Sequence, residues 1–401
     1  MDERIFITGS GAVSALGLDR QALLAGLRAE RSGIAPIRFL QTDDRSFLVG
    51  EVPMADAEMK ARLGFPADAV VSRTSLMGIL ALKEALAEAD VRPAECPAMP
   101  LISGTTVGGM DCSERHYRDF LSDSHQYDAY LAIHDCGAST DAIAAYFGGF
   151  SFATTLSTAC SSAANAVAFG ASLIKAGRAD RVAVGGSESL SDFHLKGFNS
   201  LMIVDRQPCR PFDRTRAGLN LGEGAAFLIL ESESSVRRRG VRPLAELAGY
   251  GNACDAFHQT ASSDNGEGPF QAMRQALAMA KLPADAVDYI HAHGTGTPNN
   301  DASESAAVRR LFGSACPPVS STKGYTGHTT SASGSIEAVI CLLAMQHGFL
   351  PPNLNWKEAD EACLRPVAAL QEGVRLRHVL CNSFGFGGND SSLLFSSVSG
   401  L

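Results

Sequence analysis

Short apolar or β-branched runs alternate along this chain with stretches of small residues at helical spacing. Ile5-Phe6-Ile7 is followed by a helical pattern from Gln21 to Ala29, and Met99-Pro100-Leu101-Ile102 by one from Ala142 to Phe147. A third helical stretch, Ser161 to Lys175, leads into Arg181-Val182-Ala183-Val184. Strands alternating with helices predict α/β layering. From Met110 to Ser139 the pattern breaks into polar, aromatic-bearing sequence with no period, which predicts an insertion walling a binding site.

The pattern also repeats. Gly222-Glu223-Gly224 feeds the apolar run Ala225 to Leu230, and Gly385-Phe386-Gly387-Gly388 feeds a second run ending at Leu393-Leu394-Phe395. The small-residue helix Ala163 to Gly177 has a counterpart in Gly334 to Gly348, each entered from a Ser/Ala/Thr-rich turn. This predicts two pseudo-equivalent α/β halves. They divide near 235–245, where Arg-rich sequence and Pro243 interrupt the pattern, giving units of 1–240 and 241–401.

At 401 residues with 45% hydrophobic and 19% charged residues, disorder is excluded and one large core or two compact halves are expected. A net charge of −9 argues against nucleic-acid binding, which needs an excess of Lys and Arg. Met1-Asp2-Glu3-Arg4 and Ile5-Phe6-Ile7 lack the charged start and long apolar run of a secretory leader, so a cytoplasmic location is expected. The most apolar helical stretch, Ile336 to Gln346, is too short for a membrane span and carries Glu337. The ten cysteines are scattered without a CxxC pair, so neither a disulfide framework nor a zinc site is indicated, and no metal is expected.

Four segments carry chemistry. Phe152 to Asn165 reads as a strand turning sharply into a helix with Cys160 at the helix start, where free amides and the helix dipole favour thiolate. Tyr289-Ile290-His291-Ala292-His293 ends an apolar strand before Gly294-Thr295-Gly296-Thr297. There His293 borders the loop, His291 reads as a core residue, and Thr295 and Thr297 offer hydroxyls to an amide-bearing arm. Asp301 and Glu304 follow at helical spacing and read as a helix start with ion-pair roles. Lys323 and His328 share a loop before the second small-residue helix. Asn382 to Asp390 presents glycine-spaced amides suited to an oxyanion hole. A cysteine and two loop histidines together make a nucleophile with two polar stabilisers. Thr8-Gly9-Ser10-Gly11 begins like a dinucleotide fingerprint but lacks the third glycine, and a tight turn is expected instead.

In this order, Thr158-Ala159-Cys160-Ser161, Arg210-Pro211-Phe212-Asp213, Gly222-Glu223-Gly224, His293 to Pro298, Lys323 to His328 and Phe384 to Gly388 resemble the β-ketoacyl-ACP synthase family of the thiolase fold, particularly its elongating, second-type members. The resemblance covers nearly the whole chain and implies an αβαβα layered fold and no cofactor. It implies that Cys160 takes an acyl group from acyl carrier protein and that the amides of Cys160 and Phe386 hold the oxyanion. His293 and His328 would then support decarboxylation of malonyl carrier protein, ahead of a Claisen condensation.

In the same reading Lys323 and Glu337 form the supporting ion pair, Phe386 gates the acyl pocket, and Phe384, Thr295 and Thr297 contact substrate. Acidic carrier protein is expected to dock at Arg73 or Arg210. Retention of Cys160 separates the chain from chain-length-factor subunits and from loading-type decarboxylases that carry glutamine there. Two other readings stand beside this one: a non-catalytic partner subunit, and an initiating or thiolytic enzyme using coenzyme A. Ser331-Ala332-Ser333-Gly334 replaces the family's Gly-Ala-Ala-Gly and adds hydroxyls near His328. Phe198 to Asp205 and Leu219-Asn220-Leu221 resemble synthases of aryl-polyene or related polyene pathways. A homodimer or a heterodimer with a chain-length-factor-like subunit is expected.

Overall fold

The computed structural model describes residues 3–122 and 125–398; Met1, Asp2, two positions of the predicted insertion and residues 399–401 lie outside it. Ten strands form the main sheet: β1 Ile5–Val13, β2 Leu101–Gly104, β3 Ala153–Leu156, β4 Arg181–Glu188, β5 Gly224–Ser232, β6 Ala245–Cys254, β7 Tyr289–His291, β8 Val319–Ser320, β9 His378–Gly385 and β10 Asn389–Ser396. Their spatial order is β8-β7-β9-β10-β6-β1-β5-β4-β2-β3. Counted within each half, that is the same order twice, 3-2-4-5-1, meeting at the first strand of each. The pairing repeats too. The three outer strands of each half are parallel, and the remaining pairs are antiparallel. The halves join through Phe6↔Glu246 and Ile7↔Ala245.

The strands β1, β2, β4, β5, β9 and β10 are buried on both faces almost throughout, which is why their apolar runs read as near-continuous. In the first half Val182, Val184, Leu228 and Leu230 face one hydrophobic cluster. The alternating Ala183, Phe227 and Ile229 face another. The outer cluster is built on α1, Arg73–Glu88, with α2, Cys136–Tyr146, beside it. The inner cluster holds α3, Ser162–Lys175, and α4, Asp192–Ser200, follows β4. On the second half α5, Glu267–Ala280, and α6, Pro298–Phe312, cover the outer face. The inner helix there is α7, Ser333–His347, buried throughout from Ser333 to Ala344. A helix apolar all round belongs in the middle of a protein, and α7 lies against α3 between the two half-sheets, completing five layers. The two helices touch at their starts, where a side chain on Gly334 would meet the Ala164 amide nitrogen at 2.7 Å.

Two expectations need correction. Gly9 and Gly11 do not make a turn; they lie inside β1, and a Cβ on either would strike α1 carbonyls, Ala85 O at 2.2 Å and Ala81 O at 2.1 Å. They are glycine because the helix packs directly on the strand. The segment 110–139 is not unstructured sequence over the site. It holds the short helices Met110–Ser113, Tyr117–Phe120 and Asp128–Leu131, and its last residues already belong to α2. Its described residues close on one another, with the His116 ring stacked 3.9 Å from Tyr127. None of them lines the cavity described below. Among the described residues no helix is long and apolar enough to cross a membrane.

Candidate active site

The turn between β3 and α3 places Cys160. Ala159 adopts φ +51°, a left-handed conformation costly for a residue with a Cβ. Ser161 caps α3, whose first helical residue is Ser162, so Cys160 stands just before the helix rather than in its first turn. The turn is pinned from below: Ser161 Oγ and Asn165 Nδ2 both donate to Asn389 Oδ1 at 2.8 Å.

At the matching place in the second half, the loop after β8 delivers His328 ahead of α7. His328 Nε2 lies 3.1 Å from Cys160 Sγ, and its Nδ1 lies 3.0 Å from Ser333 Oγ. His293 follows β7. Its ring stands at 81° to that of His328, with centroids 5.2 Å apart, and 5.9 Å from the Phe384 ring. One ligand-type atom of each of Cys160, His293 and His328 falls within 4.8 Å of the other two. Three side chains far apart in sequence thus converge, as the motif reading requires.

Lys323 holds this arrangement. Its Nζ donates to His293 O at 2.5 Å and Glu337 Oε1 at 2.5 Å, and lies 3.3 Å from His293 Nδ1. An ammonium offers three donors and no acceptor, so His293 Nδ1 accepts and its proton sits on Nε2. Burial, then the Lys323 charge, hold both His293 and His328 well below the ordinary imidazole range, so both rings are neutral at pH 7.

Burial also pushes the Cys160 thiol up to about 12, against the pull of Lys323 and the Phe386 amide. This corrects the expectation of a resting thiolate: desolvation outweighs the helix start, and the free site holds a thiol. Glu304 also differs from its expected ion-pair role. It is fully buried, accepts from the His293 and Gly294 amides at 2.9 and 2.8 Å and from Asn382, and is pushed up to about 7 by burial. Asp301 accepts from the Phe212 and Gly296 amides, with Arg216 Nε 3.7 Å away.

A cavity of about 310 Å³ opens onto Cys160, His293 and His328. Thr295, Thr297, Phe384 and Phe386 line it, together with Phe198, Ile203, Leu219 and the 260–262 loop. Thr295 and Thr297 join hydroxyls at 2.8 Å. Phe386 stacks on Phe198 at 5.7 Å and 18°, closing one wall.

Arg73 is not a docking residue. Only 4% exposed, it is bound to Glu223 by Nε and Nη2 and to Asp56 by Nη1. It ties α1 to the loop before β5. Arg210 is half-buried, donating to Thr215 and Pro208 and paired with Asp205 at 3.1 Å. Sequence reasoning missed Ser333, which fixes His328; the added hydroxyls near that histidine were the available signal. It also missed Asn165, whose separation of five residues from Cys160 places it under the turn.

The chain matches the β-ketoacyl synthase N-terminal domain over residues 2–235 and the β-ketoacyl synthase C-terminal domain over residues 244–357. It is 35% identical to nodulation protein E of Rhizobium meliloti, over 99% of this chain and 100% of that protein. It is 33% identical to 3-oxoacyl-[acyl-carrier-protein] synthase 2 of Synechocystis, over 98% of each. Among solved structures, the ishigamide ketosynthase/chain length factor superposes with a TM-score of 0.90 at 31% identity over 100% of both chains. The duplicated five-layer fold, the converging cysteine and histidines and these likenesses place the chain in the β-ketoacyl synthase family, as a condensing enzyme of thiolase-like fold.

Proposed function

We propose that this chain is an elongating ketosynthase in which Cys160 carries the growing acyl group and His293 and His328 drive decarboxylation of malonyl carrier protein. The observation that carries the reading is the convergence of Cys160, His293 and His328 on one cavity. Cys160 sulfur attacks the acyl thioester carbon, and the departing pantetheine sulfur takes the proton that leaves the thiol. His328 relays that proton: Ser333 Oγ, both donor and acceptor, lets the ring accept from the thiol first and present Nε2–H later. The amides of Cys160 and Phe386 hold the tetrahedral oxyanion.

In the second half-reaction the malonyl C–C bond breaks, carbon dioxide leaves, and the electron pair moves onto the thioester oxygen. Two neutral imidazole N–H groups stabilise that enolate without first giving up a proton. The enolate carbon then attacks the acyl-enzyme carbonyl, the C–S bond to Cys160 breaks, and the departing sulfur takes up a proton from solvent by way of His328, restoring the thiol. Thr295 and Thr297 face the cavity where a pantetheine arm would enter, and Phe386 on Phe198 gates the acyl side. The likeness to the ishigamide ketosynthase/chain length factor supports a chain-length-factor-like partner in a dimer, and the polyene-type acyl chain rests on the segments Phe198 to Asp205 and Leu219-Asn220-Leu221.

The test is intact-mass analysis after incubation with a panel of acyl carrier proteins. Cys160→Ala should load no acyl group, and Cys160→Gln should decarboxylate malonyl carrier protein without condensing. Normal loading of the alanine variant would overturn the assignment.

A further inference from the structure

The Phe386 amide sits at the tip of the β9–β10 hairpin, on a three-residue turn in which Gly387 and Gly388 take φ +79° and +74°. At the base of that turn Asp390 pairs with Phe384 across the hairpin and with Ala253 on β6. Asp390 is 1% exposed, and neither carboxylate oxygen makes a well-formed hydrogen bond within the described structure. A buried anion with only a weak contact from the Gly385 amide to solvate it is costly.

Asp255, just past the end of β6, faces the same turn. Its Oδ1 lies 2.2 Å from where a Cβ on Gly388 would stand. A Cβ on Gly268, in the first turn of α5, would lie 2.1 Å from Asp390 Oδ2 and 3.2 Å from Asp255 Cβ. The two acids therefore flank one glycine-lined gap. The charged groups acting on Asp390 are Asp255 and, from α6, Glu304, both acidic. Among the described residues the neighbouring elements bring no free cation: on α5 Glu267 pairs with Arg310 and Arg274 bonds Gln271, and on α7 Glu337 pairs with Lys323. On the other face of β10, α3 presents neutral Asn165. In the loop after β6, His258 Nδ1 accepts from the Thr260 amide. Burial, then Asp255, pushes the Asp390 carboxyl up to about 8.

The turn is also tied to the loop that Asp255 begins. Gly387 N donates to Gln259 O at 2.8 Å, and Cys254 Sγ to Gly387 O at 3.4 Å. Asp255 in turn accepts from the Phe257 and Ser263 amides. That loop supplies residues 260–262 to the cavity wall, so hairpin tip and wall are anchored together.

We propose that a proton held on Asp390, beside Asp255, keeps the hairpin tip docked and so positions the Phe386 amide over Cys160. With the proton in place the tip stays docked. Loss of that proton to solvent leaves a buried charge on Asp390 facing Asp255 at the base of the tip and moves the amide off the sulfur. Asp390 is a positioning residue, acting on substrate through Phe386, and its effect on turnover rests on the functional reading above.

Two measurements test this. Amide hydrogen exchange of the 381–391 segment, corrected for the intrinsic pH dependence, should show protection lost above about pH 8 in the wild type. Asp390→Asn and Asp255→Asn should keep that protection to pH 9. The rate of Cys160 acylation in the wild type, divided by that of Asp390→Asn, should fall about tenfold per pH unit above the same point, the slope of a one-proton loss. Identical pH dependence in wild type and both Asn variants would overturn the proposal. So would Asp390→Asn losing protection at pH 6.5 as fully as Asp390→Ala. If one Asn variant fails to fold, the other carries the same expectation. Hydrogen exchange needs no substrate, so exchange that behaves as expected beside a Cys160 that never loads would reject the functional reading alone.

Discussion

Replacing Lys323 with methionine removes a cation while keeping most of the side chain's volume. The ammonium bonds His293 O and Glu337 Oε1 at 2.5 Å each and approaches His293 Nδ1 at 3.3 Å. The side chains of the pair are 1% and 5% exposed, so the loss belongs to the buried regime of about 3–5 kcal/mol rather than the surface regime of about 0–1. The cost should depend on pH. Glu337 is already pushed up to about 7 by burial against the pull of Lys323. Without the lysine it moves further up. A carboxyl raised in the folded state loses stability as pH rises toward its folded value. In the wild type that decline is complete near pH 7, and in Lys323→Met it continues above.

Urea unfolding of Lys323→Met should therefore show a smaller deficit at pH 6 than at pH 8.5. Glu337→Gln combined with Lys323→Met should recover at least about 2 kcal/mol relative to the sum of the single losses. Catalysis should divide as well. Decarboxylation, which needs the His293 ring held in place, should drop by about 100-fold, whereas acylation of Cys160 should change far less. A deficit below about 1 kcal/mol, equal at both pH values and additive with Glu337→Gln, would refute the reasoning.

Two further outcomes follow from the buried groups. Because His293 and His328 are held neutral in the fold, the unfolded chain binds their protons first below about pH 6.5. Stability of the wild type relative to His328→Phe should then rise with pH by up to about 1.4 kcal/mol per unit between pH 5 and 6.5 and be flat above, read from urea midpoints. Arg73→Met should cost about 3–5 kcal/mol through the stranded Glu223 and Asp56, with the apparent KM for carrier-bound substrate unchanged in the folded fraction; a raised KM without destabilisation would restore Arg73 as a docking residue.

What the sequence disclosed is what short contiguous segments encode. Cys160 and His293 each sit just past the end of a strand and His328 in the connection that follows one, and such strand ends are where layered α/β folds expose chemistry. The features it hid are sums over distant neighbours. Arg73 looked like surface charge because Glu223, which buries it, lies 150 residues away. The Cys160 thiol looked activated because the helix start is local, whereas the desolvation that overrides it comes from the whole enclosure. Gly9 and Gly11 looked like a turn because the helix that needs their missing side chains follows some 70 residues later.

The duplication joins the two kinds of information. Cys160 precedes α3 and His328 precedes α7, the third crossover of each half, and these helices pack together at their starts. A fold that repeats its topology about a shared centre brings equivalent turns together there, so the nucleophile and its histidine meet without any sequence feature linking them. A chain that keeps the repeat keeps the meeting point, and which chemistry it performs is then decided by the few residues placed in those two turns.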